Sequence, residues 1–339
     1  MLNKDGQQSI ELSVVIPMFN EGAHIIHAIE VITASVKEVT EHYELILVDD
    51  GSSDDTWEQL QKATTTIPNV YALRLSRNFG KEYALCAGLE KSKGQAVIVM
   101  DADLQHPPKL IPEMVNVWRL EKAGVVECVK RSRGKESLSY RASAGLFYRM
   151  LKSITGYDLH GASDFKLLDR KVVQAWTTLP EKRTFFRGMT AWLGFKKVRI
   201  EFDVDHRVGG ETKWSVIKLT KLALNAIVSF TSLPLRIVTF AGALFFFAAV
   251  ILAGQTLYHK WIGSAVTGFT TVIILQLIIG SVIMLSLGII GEYISAIYNE
   301  VKGRPRYLIQ ETAASESLRE ASLHEGAQHN TTVKEYVEV

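Results

Sequence analysis

Residues 96–105 read AVIVMDADLQ, so five apolar residues run directly into an acidic turn. A short apolar run bounded by turn-forming residues is typical of a strand buried inside a sheet. Asp101 and Asp103 stand at positions i and i+2, which places their side chains on the same side of an extended chain. Two carboxylates this close repel each other unless a proton or a cation lies between them. The segment therefore predicts a buried strand that ends in a cation-binding turn.

Four further apolar runs share this pattern, and amphipathic segments separate them. The runs cover residues 12–16, 45–48, 70–75 and 125–129, and the helical segments lie near 21–40, 54–66, 79–92 and 107–123. Strands that alternate with helices predict a parallel α/β sheet with helices on both faces. In such sheets, ligands bind at the carboxyl ends of the strands, near a switch in strand order.

Polar turns follow three of these strands: PMFNE (17–21), DDGSSD (49–54) and DADLQ (101–105). Each turn has an ordinary explanation, because Asn20 and Asp54 can cap helices and Asp-Gly-Ser is common turn chemistry. Helix caps alone do not require so many carboxylates at one edge of a sheet. The convergence of the three turns therefore predicts a single ligand-binding crevice.

The composition of this crevice indicates which ligand it binds. Oxygen-only ligands favour a hard ion such as Mg²⁺ or Mn²⁺, which keeps coordination positions open for substrate phosphates. The sequence contains neither GxxxxGK[ST] nor a GxGxxG after the first strand, which argues against the common nucleoside-triphosphate and dinucleotide sites. We therefore expect a metal-assisted diphosphate site without a P-loop.

The overall composition excludes other classes of protein. The 339-residue chain has a formal net charge of +2, which argues against nucleic-acid binding. Its two cysteines, Cys86 and Cys128, make neither a disulfide framework nor a cysteine-based zinc site, and they favour a reducing, cytosol-facing compartment. Hydrophobic residues make up 47% of the chain and are concentrated near its C-terminal end.

Two segments, 237–258 and 266–291, contain no charged residue over 22 and 26 positions. Each is long enough, as a helix, to span a hydrocarbon core of about 30 Å. Basic residues are concentrated on one side of the pair: Lys213, Lys218, Lys221 and Arg236 before it, and Lys302, Arg304 and Arg306 after it, whereas the loop between the segments carries only His259 and Lys260. This bias predicts a multi-pass hairpin in the cell (inner) membrane, with the long N-terminal region and both termini in the cytoplasm.

The remaining segments complete the predicted organisation. The apolar and polar residues of 214–232 lie on opposite sides of a helix, which suits the membrane interface or packing against another helix of the same protein. Residues 311–339 are polar and predict a disordered tail. We thus expect a flexible N-terminus (1–10), a catalytic domain (11–206), a basic loop and juxtamembrane helix (207–235), a hairpin (236–298) and a cytoplasmic C-terminal segment (299–339).

The acidic turns resemble those of glycosyltransferase family 2, which has the Rossmann-like GT-A nucleotide-sugar-binding fold. More narrowly, DADLQHPP at 101–108 resembles the polyprenyl-phosphate glycosyltransferase branch, which includes dolichol-phosphate mannose synthases. The C-terminal hairpin is similar to that of bacterial members that glucosylate undecaprenyl phosphate. The resemblance covers residues 10–308, and the QxxRW motif of processive synthases is absent from the sequence.

This resemblance implies a role for particular residues. The expected nucleotide-sugar contacts are Pro17, Asn20, Glu21, Asp50 and Asp101, and the expected metal ligands are Asp103 and Gln105. The expected phosphate and acceptor contacts are Arg131, Arg133, Arg207 and Lys213, for which solvation is the ordinary alternative. The expected catalytic residues are Asp164 and Asp103. Asp164 is either a general base or an orienting group, because a phosphate monoester with a second pKa of about 6 needs little deprotonation.

The resemblance implies inverting transfer of a hexose, for which we expect glucose from UDP-glucose, to polyprenyl phosphate. Mannose from GDP-mannose and a non-catalytic nucleotide-sugar-binding membrane module are the alternatives. A binding module need not keep the acceptor-side carboxylate Asp164, which favours the enzyme. The hairpin is too small for a flippase, so we expect a separate one. Glycines at 242, 254, 280 and 288 permit close helix packing and hence a homo-oligomer.

Overall fold

The computed structural model describes residues 10–130, 163–181, 184–202, 233–263 and 268–318. These residues fall into two compact units. The first contains 10–130, the described parts of 163–202, and 305–318, and the second contains 233–263 and 268–304. The predicted N-terminal segment, the juxtamembrane helix and the end of the tail (319–339) lie outside the described residues.

The first unit is built on a sheet to which the described residues contribute eight strands. These are β1 (Leu12–Met18), β2 (Tyr43–Asp49), β3 (Val70–Leu75), β4 (Ala96–Val99), β5 (Val125–Lys130), β6 (Lys166–Asp169), β7 (Lys197–Phe202) and β8 (Ile309–Ala314). Their order across the sheet is β7-β5-β6-β4-β1-β2-β3-β8.

The sheet is mixed, which corrects the prediction of a parallel sheet. Strands β1 to β4 are parallel to their neighbours within that group, as are β5 and β7. Strand β6 is antiparallel to β4 and β5, and β8 is antiparallel to β3. The five strands expected from the sequence are all present, whereas β6, β7 and β8 were not expected. The α/β class with a Rossmann-like half is confirmed.

Six helices flank the described strands: α1 (Ile25–Lys37), α2 (Thr56–Thr66), α3 (Lys81–Lys91), α4 (Ile111–Glu121), α5 (Arg170–Thr177) and α6 (Phe186–Trp192). Strands β1 and β2 are buried along their whole length, as expected when helices cover both faces of parallel strands. Helix α1 buries Ile25, Ile29, Ile32 and Val36, which recur at helical spacing along one side.

The position of β1 determines where a ligand can bind. Strand β1 pairs with β2 on one side and with β4 on the other, so the strand order reverses between β1 and β4. A crevice opens at such a switch point, at the carboxyl ends of the strands. The turns that follow β1 and β4 are therefore neighbours at one edge of the sheet.

The residues after 305 correct the prediction of a tail that is disordered from residue 311. Strand β8 pairs with β3 over Tyr71–Ala314 to Leu75–Ile309, so it covers the edge of the sheet. The Glu311 carboxylate accepts a hydrogen bond from Trp57 Nε1 at 3.0 Å and lies 3.5 Å from Arg74 Nη1. An edge strand needs no apolar alternation on its solvent side, so its polar composition resembled that of a disordered segment.

The segment leading into β8 is fastened to the same unit. Arg306 Nε donates to the Glu181 carbonyl at 3.0 Å, and its guanidinium lies 3.5 Å from the Glu90 carboxylate. The hydroxyl of Tyr307 also donates to Glu90, near the end of α3. Arg306 was counted among the basic residues that flank the hairpin, and the structure gives it these additional partners.

The second unit contains two long helices, α7 (Leu233–Trp261) and α8 (Phe269–Val301). Their segments Pro234–Trp261 and Leu275–Val301 have mean hydropathies of 2.4 and 2.0, and by length and composition each suffices to cross a membrane. Large apolar side chains such as Phe240 and Leu285 are exposed along them. Exposed apolar surface on this scale marks contact with a partner or a lipid phase.

We predict that Glu311→Ala destabilises the first unit. The substitution leaves Trp57 Nε1 without its acceptor and removes the carboxylate beside Arg74, which should cost about 1 kcal/mol. The melting temperature in detergent, followed by tryptophan fluorescence, should fall by about 2–4 °C. Glu316→Ala, which changes an exposed glutamate five positions further along, is the control and should melt like the unaltered protein. Equal melting of the two variants would contradict the role given to Glu311.

Candidate active site

The turns after β1 and β2 are bonded to each other. Asn20 donates its backbone N–H to Ser52 Oγ at 2.9 Å, and its Oδ1 accepts the backbone N–H of Ser53 at 2.9 Å. Asn20 has a φ of +57°, a left-handed conformation that asparagine tolerates better than most residues. Asn20 therefore fixes the shape of this edge, in addition to any contact it makes with a nucleotide.

Asp49 and Asp50 are both buried at the end of β2. Asp49 accepts the N–H of Ser52 at 2.9 Å and lies 3.4 Å from Arg74 Nε. Asp50 accepts the N–H groups of Phe79 and Gly80, each at 2.8 Å. Burial raises the pKa of both carboxyls, and these donors oppose the rise. Asp50 thus holds the loop after β3 against the turn after β2.

Three carboxylates lie within electrostatic range of one another at the switch point. Burial raises the pKa of Glu21, and the negative charges of Asp103 and Asp101 raise it further. Asp103 Oδ1 accepts the backbone N–H of Gln105 at 3.0 Å, which shapes the turn. The prediction that the first and fourth strands contribute carboxylates to one crevice is therefore in accord with the geometry.

The suitability of this cluster for a metal ion rests on its chemistry. Within the described ranges, no group of three or more His, Cys, Asp and Glu residues is arranged as a ready ligand set. Mg²⁺ in phosphate-transfer sites commonly takes only one or two carboxylates, and substrate phosphates and water supply the rest. Asp103 and Gln105, beside the like charges of Glu21 and Asp101, fit that arrangement.

One lysine joins the carboxylates of two different turns. Lys81 Nζ lies 2.5 Å from Asp101 Oδ1, after β4, and 2.8 Å from Asp164 Oδ2, just before β6. Burial lowers the pKa of Lys81, but the two carboxylates outweigh it and leave the pKa above its ordinary value. Lys81 is therefore a permanent positive charge between Asp101 and Asp164.

Asp164 has a second cationic partner in helix α6. Arg187 binds it with both arms of the guanidinium, Nε to Oδ1 at 2.7 Å and Nη2 to Oδ2 at 2.9 Å. Burial alone would raise the pKa of Asp164, but Arg187 and Lys81 hold it well below its usual range. Asp164 is consequently ionised at physiological pH and is a poor proton acceptor.

Helix α6, which carries Arg187, is fixed by two contacts. Glu82 Oε2 accepts the N–H of Phe186, the first residue of the helix, at 2.6 Å. The buried Lys166, in β6, donates to Thr190 Oγ1 of the helix at 2.8 Å. These contacts join α3, β6 and α6 around Asp164 and so position its guanidinium partner.

Several of the residues predicted for the site are among the described residues. Asp101 and Asp164 meet through Lys81, while Pro17 lies within β1 beside the turn. Arg131, Arg133, Arg207 and Lys213 lie outside the described residues. Lys81 and Arg187 were missed. Ligand-binding residues were expected after the carboxyl ends of the other strands, and the same expectation applied to β3 leads to Lys81. No sequence pattern indicated where Arg187 would lie.

Two sequence profiles match the chain: Glycosyl transferase family 2 over residues 13–176, and the GtrB C-terminal hairpin over residues 233–297. The Bacillus subtilis protein named uncharacterized glycosyltransferase YkcC is 38% identical over 312 residues, 91% of this chain and 96% of that protein. The SfII prophage-derived bactoprenol glucosyl transferase of Shigella flexneri is 35% identical over 315 residues, 89% of this chain and 98% of that protein.

Among solved structures, glucosyl-3-phosphoglycerate synthase from Mycobacterium tuberculosis, in complex with Mn²⁺, UDP and phosphoglyceric acid, has a TM-score of 0.47. Its sequence identity is 22%, and the match covers 64% of this chain and 76% of that chain. The hairpin profile, together with the two long apolar helices, indicates association with a membrane.

We predict that Glu82→Gln flattens the dependence of stability on pH. Burial raises the pKa of Glu82 from 4.5 to about 7, so the folded protein holds this proton more tightly than the unfolded chain does. The resulting stability is fully present below pH 4.5 and is lost as the pH rises to about 7. The amide of Gln still accepts from Phe186 but does not titrate.

Melting temperatures measured from pH 5 to pH 8 test this prediction. The fall with rising pH should be smaller in Glu82→Gln than in the unaltered protein. Glu58→Gln, on the exposed side of α2, serves as the control and should keep the original profile. Parallel profiles for all three proteins would show that Glu82 does not titrate in this range.

Proposed function

The chain belongs to glycosyltransferase family 2, and on that basis we propose that it transfers glucose from UDP-glucose to undecaprenyl phosphate, with inversion at the anomeric carbon. The observation that carries the proposal is the contact of one amine, on Lys81, with Asp101 and Asp164. Asp101 belongs to the acidic turns expected at the nucleotide sugar, and Asp164 is the carboxylate expected at the acceptor. A donor and an acceptor bound on these two sides would meet at Lys81.

The donor would bind across the turns at the switch point. We assign contacts with the nucleobase and the ribose to Glu21 and Asp50, and place Asp101 beside the nucleotide. We assign further nucleotide-sugar contacts to Pro17, near the end of β1, and to Asn20, which bonds to both Ser52 and Ser53. Burial and the neighbouring aspartates raise the pKa of Glu21.

Asp103 and Gln105 would hold a divalent ion, Mg²⁺ or Mn²⁺, on the diphosphate of the donor. Such an ion acts as a Lewis acid that stabilises the departing nucleoside diphosphate. The support for this assignment is the oxygen-rich donor set and the repulsion between Glu21 and Asp103, which a cation would relieve.

Asp164 orients groups in this proposal and does not remove a proton. Its contacts with Arg187 and Lys81 hold its pKa well below the usual range of an aspartate. The acceptor phosphate has a second pKa of about 6 and is mostly dianionic at neutral pH, so it attacks without a base. Catalysis then depends on the positioning of the two substrates and on stabilisation of charge.

The relatives named bactoprenol glucosyl transferases support undecaprenyl phosphate as the acceptor, since they match along nearly the whole chain. The basic residues flanking the two apolar helices support a multi-pass topology with the first unit on the cytoplasmic side of the cell (inner) membrane. We assign Arg131, Arg133, Arg207 and Lys213 to the acceptor phosphate. A separate flippase and a homo-oligomer stay predictions.

A transfer assay tests the proposal directly. Detergent-purified protein with undecaprenyl phosphate, Mg²⁺ or Mn²⁺ and labelled UDP-glucose should yield labelled glucose in the extracted lipid. GDP-mannose is supplied in a parallel reaction. Lipid-linked mannose in place of glucose would overturn the donor, while the absence of product from any nucleotide sugar that binds would favour the non-catalytic membrane module.

We further predict that Asp103→Asn abolishes the metal-dependent part of this turnover. Asn lacks the negative charge that holds a divalent ion, so the rate should fall by about 10²–10³-fold, a typical loss for a charge-stabilising group. The residual rate should be insensitive to EDTA. Asp55→Asn, which removes a carboxylate bonded to Gln59 on the surface of α2, should keep full activity and EDTA sensitivity. An active, EDTA-sensitive Asp103→Asn enzyme would exclude Asp103 as a ligand.

A further inference from the structure

The amine of Lys81 occupies a position that the proposed reaction requires to be positively charged. It contacts Asp101, which follows β4, and Asp164, which precedes the neighbouring antiparallel strand β6. The lysine side chain is 41% exposed, so a ligand can reach it, whereas the Asp164 side chain is only 9% exposed. Lys81 is thus the accessible member of this pair.

The stability of the fold does not account for this lysine. Asp164 already has two bonds from Arg187, one to each of its oxygens. An ion pair with an exposed partner adds little to stability, since solvent screens it. Removal of the amine should therefore leave the folded unit intact.

The chemistry supplies the reason for a cation at this position. In the proposed transfer, a phosphate dianion must approach a sugar attached to a diphosphate, so two negative groups are brought together. Charges a few Å apart in a partly desolvated site repel each other far more strongly than they do in bulk water. A fixed positive charge between them lowers that repulsion and stabilises the charge that develops on the leaving oxygen.

We infer that Lys81 is a catalytic residue whose amine contacts the donor diphosphate on its Asp101 side and the acceptor phosphate on its Asp164 side. An acceptor phosphate oxygen forms the bond to the anomeric carbon, the bond from that carbon to the diphosphate breaks, and its electron pair stays on the diphosphate oxygen. Lys81 keeps its proton throughout. Asp164 is the positioning residue that aims Lys81 and Arg187. This inference rests on the proposed function.

A chemical substitution separates the charge of Lys81 from its shape. Lys81→Cys removes the amine, and alkylation with 2-bromoethylamine rebuilds a side chain of similar length that carries a positive charge. Alkylation with iodoacetamide adds a neutral group of similar size. The native cysteines, Cys86 and Cys128, are fully buried, and burial raises their thiol pKa, to about 11 for Cys86, so they react slowly.

The matched control is Lys91→Cys, at the exposed opposite end of the same helix α3, treated with both reagents. Lys81→Cys should lower kcat by about 10²–10³-fold and weaken UDP-glucose binding by about tenfold, with an unchanged melting temperature. Aminoethylation should restore at least a tenth of the original activity, and the neutral adduct should restore none. Lys91→Cys should behave like the unaltered protein in every state.

Two results would overturn the inference: activity of Lys81→Cys above a tenth of the original, or equal recovery with the charged and neutral adducts. Failure of the proposed function gives a different result, namely that the unaltered protein makes no lipid-linked sugar. In that case calorimetric binding of UDP-glucose to the same proteins decides. If Lys81→Cys loses affinity for UDP-glucose and only aminoethylation restores it, the contact between Lys81 and the phosphate is supported. If the unaltered, Lys81→Cys and alkylated proteins all bind UDP-glucose equally well, that contact is refuted.

Discussion

The pairing of β1 with β2 on one side and β4 on the other is the constraint on which the site depends. It brings the turns after three parallel strands to one edge and so concentrates carboxylates there. Buried or crowded carboxylates are unfavourable unless donors or cations compensate them. The hydrogen bonds and ion pairs around the crevice stabilise these carboxylates.

The carboxylates of the crevice differ in how far donors or cations compensate their charge. This difference separates the carboxylates that support the fold from those available to a ligand. Asp50 is satisfied by two backbone N–H groups, and Asp164 by Arg187 and Lys81. Around Glu21 negative charges prevail: Asp103 and Asp101 raise its pKa, and His24 opposes them. Positive charge is fixed at Lys81, toward Asp164, whereas Glu21 and Asp103 repel each other, and a divalent ion on a diphosphate would relieve that repulsion.

The sequence predicted the half of the sheet whose strands are apolar runs, and from it the acidic edge. Prediction from the sequence failed where a strand pairs with another that is distant in the chain. Strand β8 comes from a polar segment that pairs with β3 more than 230 positions away in the chain, since Arg74 meets Glu311. Arg187 was missed for the same reason, because the route of the chain from β5 through β6 to α6 leaves no periodic signal. Lys81 was within reach of the reasoning, since it begins the helix after β3.

A buried ion pair lies next to helix α6, which carries Arg187, and it bears on how that arginine is positioned. Glu127 and Lys166 are both buried, 3.0 Å apart, with Lys197 Nζ 3.5 Å from the same glutamate. A buried ion pair is weak evidence for stability, because apolar residues of the same volume would commonly serve as well. Glu127 lies on β5, Lys166 on β6 and Lys197 on β7, and Lys166 donates to Thr190 on α6. These contacts connect the strand that follows Asp164 to the helix that carries Arg187, and so support the position from which Arg187 binds Asp164 with both arms of its guanidinium.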